Sequence, residues 1–227
     1  MSSQIDVVIP TFNGFEFISE TIESVLNQSV ALLLNLIVVD DCSIDGTFDY
    51  VQKKFGHLDN VKLIRNGVNI GPAASRNTGI QFGASPYIAF LDQDDVWDVD
   101  KLERQIAVLP DPLEVAYSVT LQKIIVPEGH SAPTWLREGM LNTSLDGFLP
   151  STLLVTRVTL ELVGIFDESM KNGIDDVDWF ARARKLGIPC RKVELPLVER
   201  KAHSNNLSRS HDSQQEMFAS IRKHLSK

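Results

Sequence analysis

The chain opens on an apolar run, IDVVIP at 5–10, and then carries Ile18, Ile22, Val25 and Leu26 at helical spacing within residues 15–28. A short β-branched run ended by proline predicts a strand, and apolar positions every three or four residues predict a helix. The unit then repeats. Residues 34–39 are almost continuously apolar and close on Asp40 and Asp41, after which CSIDGT turns into a helical stretch through Lys54. Residues 61–64 predict a third strand, and Gly71-Pro72 opens a third helix, with proline where its missing N–H costs nothing. Residues 87–91 predict a fourth strand, followed by a helix from near Asp98. This βαβαβαβ order predicts an α/β fold with a mostly parallel sheet and helices on both faces, binding its ligands beyond the carboxyl ends of the strands.

The polar clusters fall at those ends. Thr11 and Asn13 follow the first strand, Asp40 and Asp41 the second, Asn66 and Asn69 the third, and Asp92 and Asp94 the fourth. Four loops are thereby expected to converge on one crevice. LDQDDVW at 91–97 sets Asp92, Asp94 and Asp95 at the end of the run YIAFL. Carboxylates crowded at a strand end repel unless a cation or hydrogen-bond donors offset them. A hard ion such as Mg2+ or Mn2+ fits, and an acidic turn capping the next helix is the plainer alternative.

After Pro110 the pattern weakens, because prolines at 112, 127, 133 and 150 interrupt short β-prone runs at 115–119 and 123–126. This half reads as irregular and substrate-facing. Regular spacing returns in LLVTRVTLELVG (153–164), where Thr156 can cap a short helix, and in a helical stretch from Asp175 to Leu186 closed by Gly187. In the last segment, 213–227, Met217, Ile221 and Leu225 lie four apart, which suits a terminal helix packed on the domain or resting on a membrane surface. The expected organisation is one domain, with halves at 1–110 and 111–210 and a terminal helix at 211–227.

Composition narrows the classes. With 43% hydrophobic and 23% charged residues the chain reads as globular, and a net charge of −8 argues against nucleic-acid binding by the whole surface. The two cysteines, Cys42 and Cys190, show no metal-ligand or CxxC spacing. With no basic-then-apolar leader and no run of 18 apolar residues, the expected location is cytoplasmic, with peripheral membrane contact through the terminal helix left open. Asn-x-Ser/Thr-like triplets at Asn27, Asn142 and Asn206 then read as chance matches.

Five segments in order carry a resemblance: VVIPTFNG (7–14), VVDDCSIDGT (38–47), GPAASRNTG (71–79), LDQDDVW (91–97) and GIDDVDWFAR (173–182). Together they resemble a family-2 inverting glycosyltransferase of the GT-A (Rossmann-like) fold. The resemblance implies that Pro10, Thr11, Asn13, Asp40, Asp41 and Arg76 hold the nucleoside of a sugar-nucleotide donor, UDP-linked by default, with Asp92 near the ribose. It implies Asp94 as ligand of a divalent metal, Mn2+ or Mg2+, bridging the donor phosphates, and His203 as a second group near that metal. Asp176 would be the general base, with Asp175 or Asp178 as the alternative working carboxylate. Asp175 stands where the family commonly has glutamate, and it is one candidate for contact with the acceptor, a saccharide or lipid-linked saccharide. Trp97 and Trp135 are candidates for stacking against an acceptor sugar.

A positive charge at the leaving diphosphate and a carboxylate on the opposite face that takes the acceptor proton suffice for direct displacement, so inversion is expected. Rival classes fit less well. A phosphoreceiver places its acidic pair after the first strand, and neither GxGxxG nor GxxxxGK[ST] occurs. The stronger rival keeps the fold without the reaction, as a non-catalytic nucleotide-sugar or glycan-binding protein.

Overall fold

The computed structural model describes residues 4–133, 136–141, 143–170, 174–203 and 206. Four strands, β1 (Gln4–Thr11), β2 (Leu33–Asp40), β3 (Val61–Arg65) and β4 (Tyr87–Phe90), pair in parallel in the order β3-β2-β1-β4. The helices between them are α1 (Ile18–Leu26), α2 (Thr47–Phe55) and α3 (Pro72–Phe82). Side-chain alternation decides which helix covers which face. Ile5, Val7 and Ile9 pack with α1 and α2 through Ile18, Ile22, Val51 and Phe55, whereas Val8 packs with Ala73 and Ile80 of α3. Gly79 lets α3 approach closely, since a Cβ there would lie 2.4 Å from Val8. Pro10 sits beyond the last β1–β4 pair, Val8 with Phe90, so its missing N–H removes no ladder bond on that side.

The second half extends the same sheet. A two-residue strand β5 (Val96–Trp97), helix α4 (Lys101–Val108), β6 (Tyr117–Ile125), β7 (Leu145–Asp146), β8 (Leu154–Thr156), α5 (Arg157–Val163), α6 (Asp175–Lys185) and β9 (Cys190–Lys201) follow in order. The sheet continues past β4 as β8-β6-β9-β5, with β7 on β6. β8 is antiparallel to β4 and β6, and β5 is antiparallel to β9. The helix expected from near Asp98 begins at Lys101, after an Asp98 turn that takes the Lys101 N–H at 3.1 Å. Thr156 caps α5, accepting from the Thr159 N–H as its position suggested.

Two features of this half differ from the expectation of irregular chain. The runs at 115–119 and 123–126 fall largely within one nine-residue strand, β6, and only 115, 116 and 126 lie outside it. The twelve-residue β9, CRKVELPLVERK, had no strand signal because one face is charged and proline interrupts it. Its ladder to β6 shifts register where Leu121 meets Pro196, so the proline occupies an irregularity and not a regular rung. The terminal stretch 213–227 and Trp135 lie outside the described residues. Among the described residues, no helix is long and apolar enough to cross a membrane.

Candidate active site

The loops after β1, β2 and β4 are stitched together at the carboxyl end of the sheet. Thr11 receives the Asp41 N–H on its carbonyl at 2.7 Å and donates its hydroxyl to Gln93 Oε1 at 2.7 Å. Gln93 also accepts the Phe12 N–H at 2.8 Å and returns a bond to the Phe12 carbonyl, so it latches the acidic loop onto the β1 loop. A Cβ on Gly14 would meet Gln93 Oε1 at 2.4 Å, which accounts for glycine there. Asn13 has a left-handed backbone, φ 51°, which asparagine tolerates better than most residues. Its N–H donates to Ser43 Oγ and its Oδ1 accepts the Ile44 N–H, each at 2.9 Å.

The two acids after β2 divide the work. Asp41 accepts from Ile70 N, Gly71 N and Asn66 Nδ2 at 2.8–2.9 Å, holding the entry to α3. Asp40 is fully buried, takes the Ser43 N–H on Oδ1 and lies 3.5 Å from Arg65, yet its Oδ2 has no partner. A buried acceptor without a donor is costly, and it is a feature that a bound N–H group would relieve.

Asp92, Asp94 and Asp95 have three separate environments. Asp95 is buried: Ser151, in a 3-10 turn at Pro150–Thr152, donates to it at 2.6 Å, and the same Ser151 Oγ accepts the Asp92 N–H. Burial, then the neighbouring Asp94 and Asp92, push the Asp95 carboxyl well above the ordinary range. Asp94 is more open, and its Oδ2 lies 2.8 Å from His203 Nε2 and 3.0 Å from Asn206 Nδ2. β9 delivers His203 there: Lys201 is buried at the strand end, and its Nζ pairs with Glu20. The imidazole then stacks on Phe17, with ring centroids 4.9 Å apart. Asp94 and His203, 109 positions apart, are thus brought into contact.

Arg76 and Asp175 do not stand open as the sequence suggested. Arg76 is 5% exposed, with Nη1 on Asp175 Oδ2 and Nη2 on Asp92 Oδ1, both at 2.6 Å. Its terminal nitrogens face acids where a nucleoside contact was expected, and Asp175, 1% exposed, is turned onto Arg76 and away from any acceptor. Trp97 also departs from expectation. It is 3% exposed, donates from Nε1 to the Ser151 carbonyl at 2.7 Å and is covered by Lys101 Nζ 3.9 Å from its ring, so it packs the core and presents no face to a sugar.

Asp176 keeps a partly accessible side chain, and its Oδ1 accepts the Val177 N–H at 2.6 Å. Burial in the crevice first, then the charge of Asp175, push its carboxyl up to about 7, against the opposing pull of Arg76. Its neighbour Asp178 is held by Arg182 at 2.7 Å. Gln93, Ser151, Phe17 and Asn206 are the supporting residues that sequence reasoning missed. Gln93, between two acids, offered the one local hint, and the others act only through partners remote in sequence.

Asp94 and His203 supply a carboxylate oxygen and an imidazole nitrogen close enough to share one divalent cation. No group of three or more His, Cys, Asp or Glu that could hold a metal occurs among the described residues.

The structure is a mixed α/β fold with its acidic loops at the carboxyl edge of the sheet, and the Glycosyl transferase family 2 model matches residues 6–159. The chain belongs to that family. It is 31% identical over 170 residues to the TuaG glycosyltransferase of Bacillus subtilis, covering 75% of this chain and 58% of TuaG. It is 37% identical over 102 residues to the UDP-Glc:α-D-GlcNAc-diphosphoundecaprenol β-1,3-glucosyltransferase WfgD of Escherichia coli, covering 45% of this chain and 40% of WfgD. The chain thus spans about half the length of these relatives. S. aureus TarS 1-349 in complex with UDP-GlcNAc superposes with a TM-score of 0.77 at 19% identity, covering 98% of this chain and 66% of that one, and so shares the fold.

Proposed function

We propose that the chain moves a sugar from a nucleoside diphosphate donor, UDP-linked, to a hydroxyl of a saccharide or lipid-linked saccharide, with inversion. The observation that carries this reading is the single Arg76 guanidinium that touches both Asp92 of the acidic loop and Asp175 beside Asp176. That shared contact supports a crevice in which Asp92 lies on the donor side and Asp176 on the acceptor side. Asp40 Oδ2, buried without a donor, suits an N–H of the nucleobase. Asp94 and His203 would hold the divalent ion, which when bound supplies positive charge to the leaving diphosphate.

On the opposite side, Asp176 takes the proton of the attacking hydroxyl. Of the three acids at the start of α6, Asp175 is held by Arg76 and Asp178 by Arg182, which leaves Asp176 the one paired with a backbone N–H and not with arginine. A carboxyl pushed up to about 7 is a stronger base than an ordinary aspartate and is still substantially ionised at neutral pH. A base on the face opposite the leaving group would give direct displacement with inversion.

Thermal shift with UDP, GDP, CDP and dTDP, with and without Mn2+, tests the reading. UDP is expected to raise the midpoint, more so with Mn2+, by the mass-action stabilisation of about 2.7 kcal/mol at a hundredfold excess over Kd. Asp94→Asn should lose the Mn2+ increment. No rise with any of the four nucleotides would move weight to a non-catalytic glycan-binding role for the same fold.

A further inference from the structure

Arg76 lies one turn into α3, and its two terminal nitrogens go to different parts of the chain, Asp92 after β4 and Asp175 at the start of α6. Its Nε is buried without a partner, and the guanidinium carbon lies 5.6 Å from the Phe166 ring centre. The residue is thus built into the wall between the two halves of the crevice. A guanidinium is a rigid planar fork that can hold two carboxylates at fixed angles, whereas an ammonium on a flexible stem cannot. Asp175 precedes Asp176 directly, so its orientation sets the first turn of the helix that carries the base.

We propose that Arg76 is a positioning residue for the transfer: by holding Asp92 and Asp175 on one guanidinium, it fixes the base helix against the donor loop and so places Asp176 relative to the sugar. This rests on the reading of Asp176 as the base. The charged groups acting on Asp176 are Asp175 on its own helix, Arg76 from α3 and Asp92 from the acidic loop, and Asp178 on the same helix is paired with Arg182. Arg76 favours the ionised form, and Asp175 and Asp92 oppose it.

The test combines two readouts on the full chain. Carbon-13 NMR of carboxyl-labelled aspartate follows the Asp176 titration, with Asp176→Asn identifying its signal, and UDP release from UDP-Glc and UDP-GlcNAc with Mn2+ follows turnover. In Arg76→Gln the Asp176 midpoint should rise by about one pH unit or more, since an opposing charge has been removed, and kcat should fall at least about tenfold with donor KM little changed. In Arg76→Lys the midpoint should return towards the parent while kcat stays low. A lysine variant that restores both, or a glutamine variant that changes neither, overturns the proposal. Should Arg76→Gln fail to fold, Asp175→Asn is expected to lower the midpoint and kcat, and an unchanged midpoint there also overturns it. The titration needs no turnover, so it decides the coupling even if neither donor is used. UDP release by Asp176→Asn at the parent rate would instead reject Asp176 as base, separately from any result at Arg76.

Discussion

Asp6 and the acids of the crevice are buried at opposite ends of the same strands, and their surroundings differ in kind. At the amino end, Asp6 accepts from Asn35 Nδ2, Ser85 N, Ser85 Oγ and Arg157 Nη2 at 2.6–3.2 Å. Both of its oxygens are filled. At the carboxyl end Asp40 keeps an oxygen with no donor, Asp95 crowds Asp94 and Asp92, and Asp176 is driven up to about 7. A satisfied buried acid holds a fold together, and acids left in excess of their donors are a local cost that a ligand can relieve. Satisfied acids occur at both ends, Asp6 at one and Asp41 and Asp95 at the other, and the carboxyl end also holds Asp40 with an oxygen that has no donor and Asp176 pushed up to about 7.

The strongest way to break that contrast is Asp176→Asn. Turnover is expected to fall by about 10²–10⁴, the usual contribution of a general base, measured as UDP release or sugar transfer. The same variant should be more stable than the parent at pH 8. The folded carboxyl holds its proton up to about 7 whereas an unfolded one loses it near 3.8, so the parent loses stability as pH rises between those values. A melting-temperature difference that grows from pH 4 to 7 and is then constant would agree; one independent of pH would not.

Asp6→Ala is the converse experiment. It strands Asn35, Ser85 and the Arg157 charge, and a loss of about 3 kcal/mol is expected by urea unfolding, with the UDP-induced thermal shift retained at low temperature. A variant as stable as the parent would remove Asp6 from the framework. A smaller effect lies in the pH profile: kcat/KM on UDP-Glc should fall about tenfold per unit below pH 7 as Asp176 protonates. The smallest is Trp97→Phe. It loses the bond to the Ser151 carbonyl and should cost about 1–2 kcal/mol of stability with donor KM unchanged, whereas a rise in acceptor KM alone would return Trp97 to the sugar site.

The first half of the fold was legible because each strand there is a compact apolar run and each helix carries its own period. The second half was less so. β9 is stabilised by its ladder to β6 and by one buried face, so neither its composition nor its proline announced a strand. Within the site, Asp94 lay in a recognisable segment, whereas the contact of His203 with it is made only by the fold. The orientation of Arg76, Asp175 and Trp97 was not legible, because residue type and spacing say that a side chain is near a crevice without saying which way it points. Arg76 and Trp97 were read as facing ligand and instead face protein.

By itself the sequence determined the strand–helix alternation, the end of the sheet at which polar residues gather and the membership of the chain in its family, since these depend on local pattern and short motifs. The tertiary structure alone decided how the acids are shared out. Each carboxylate is met by a donor from a distant segment: Ser151 for Asp95, His203 for Asp94, Arg76 for Asp92 and Asp175. Those donors come from 16 to 109 residues away, distances over which only the folded chain sets the electrostatics.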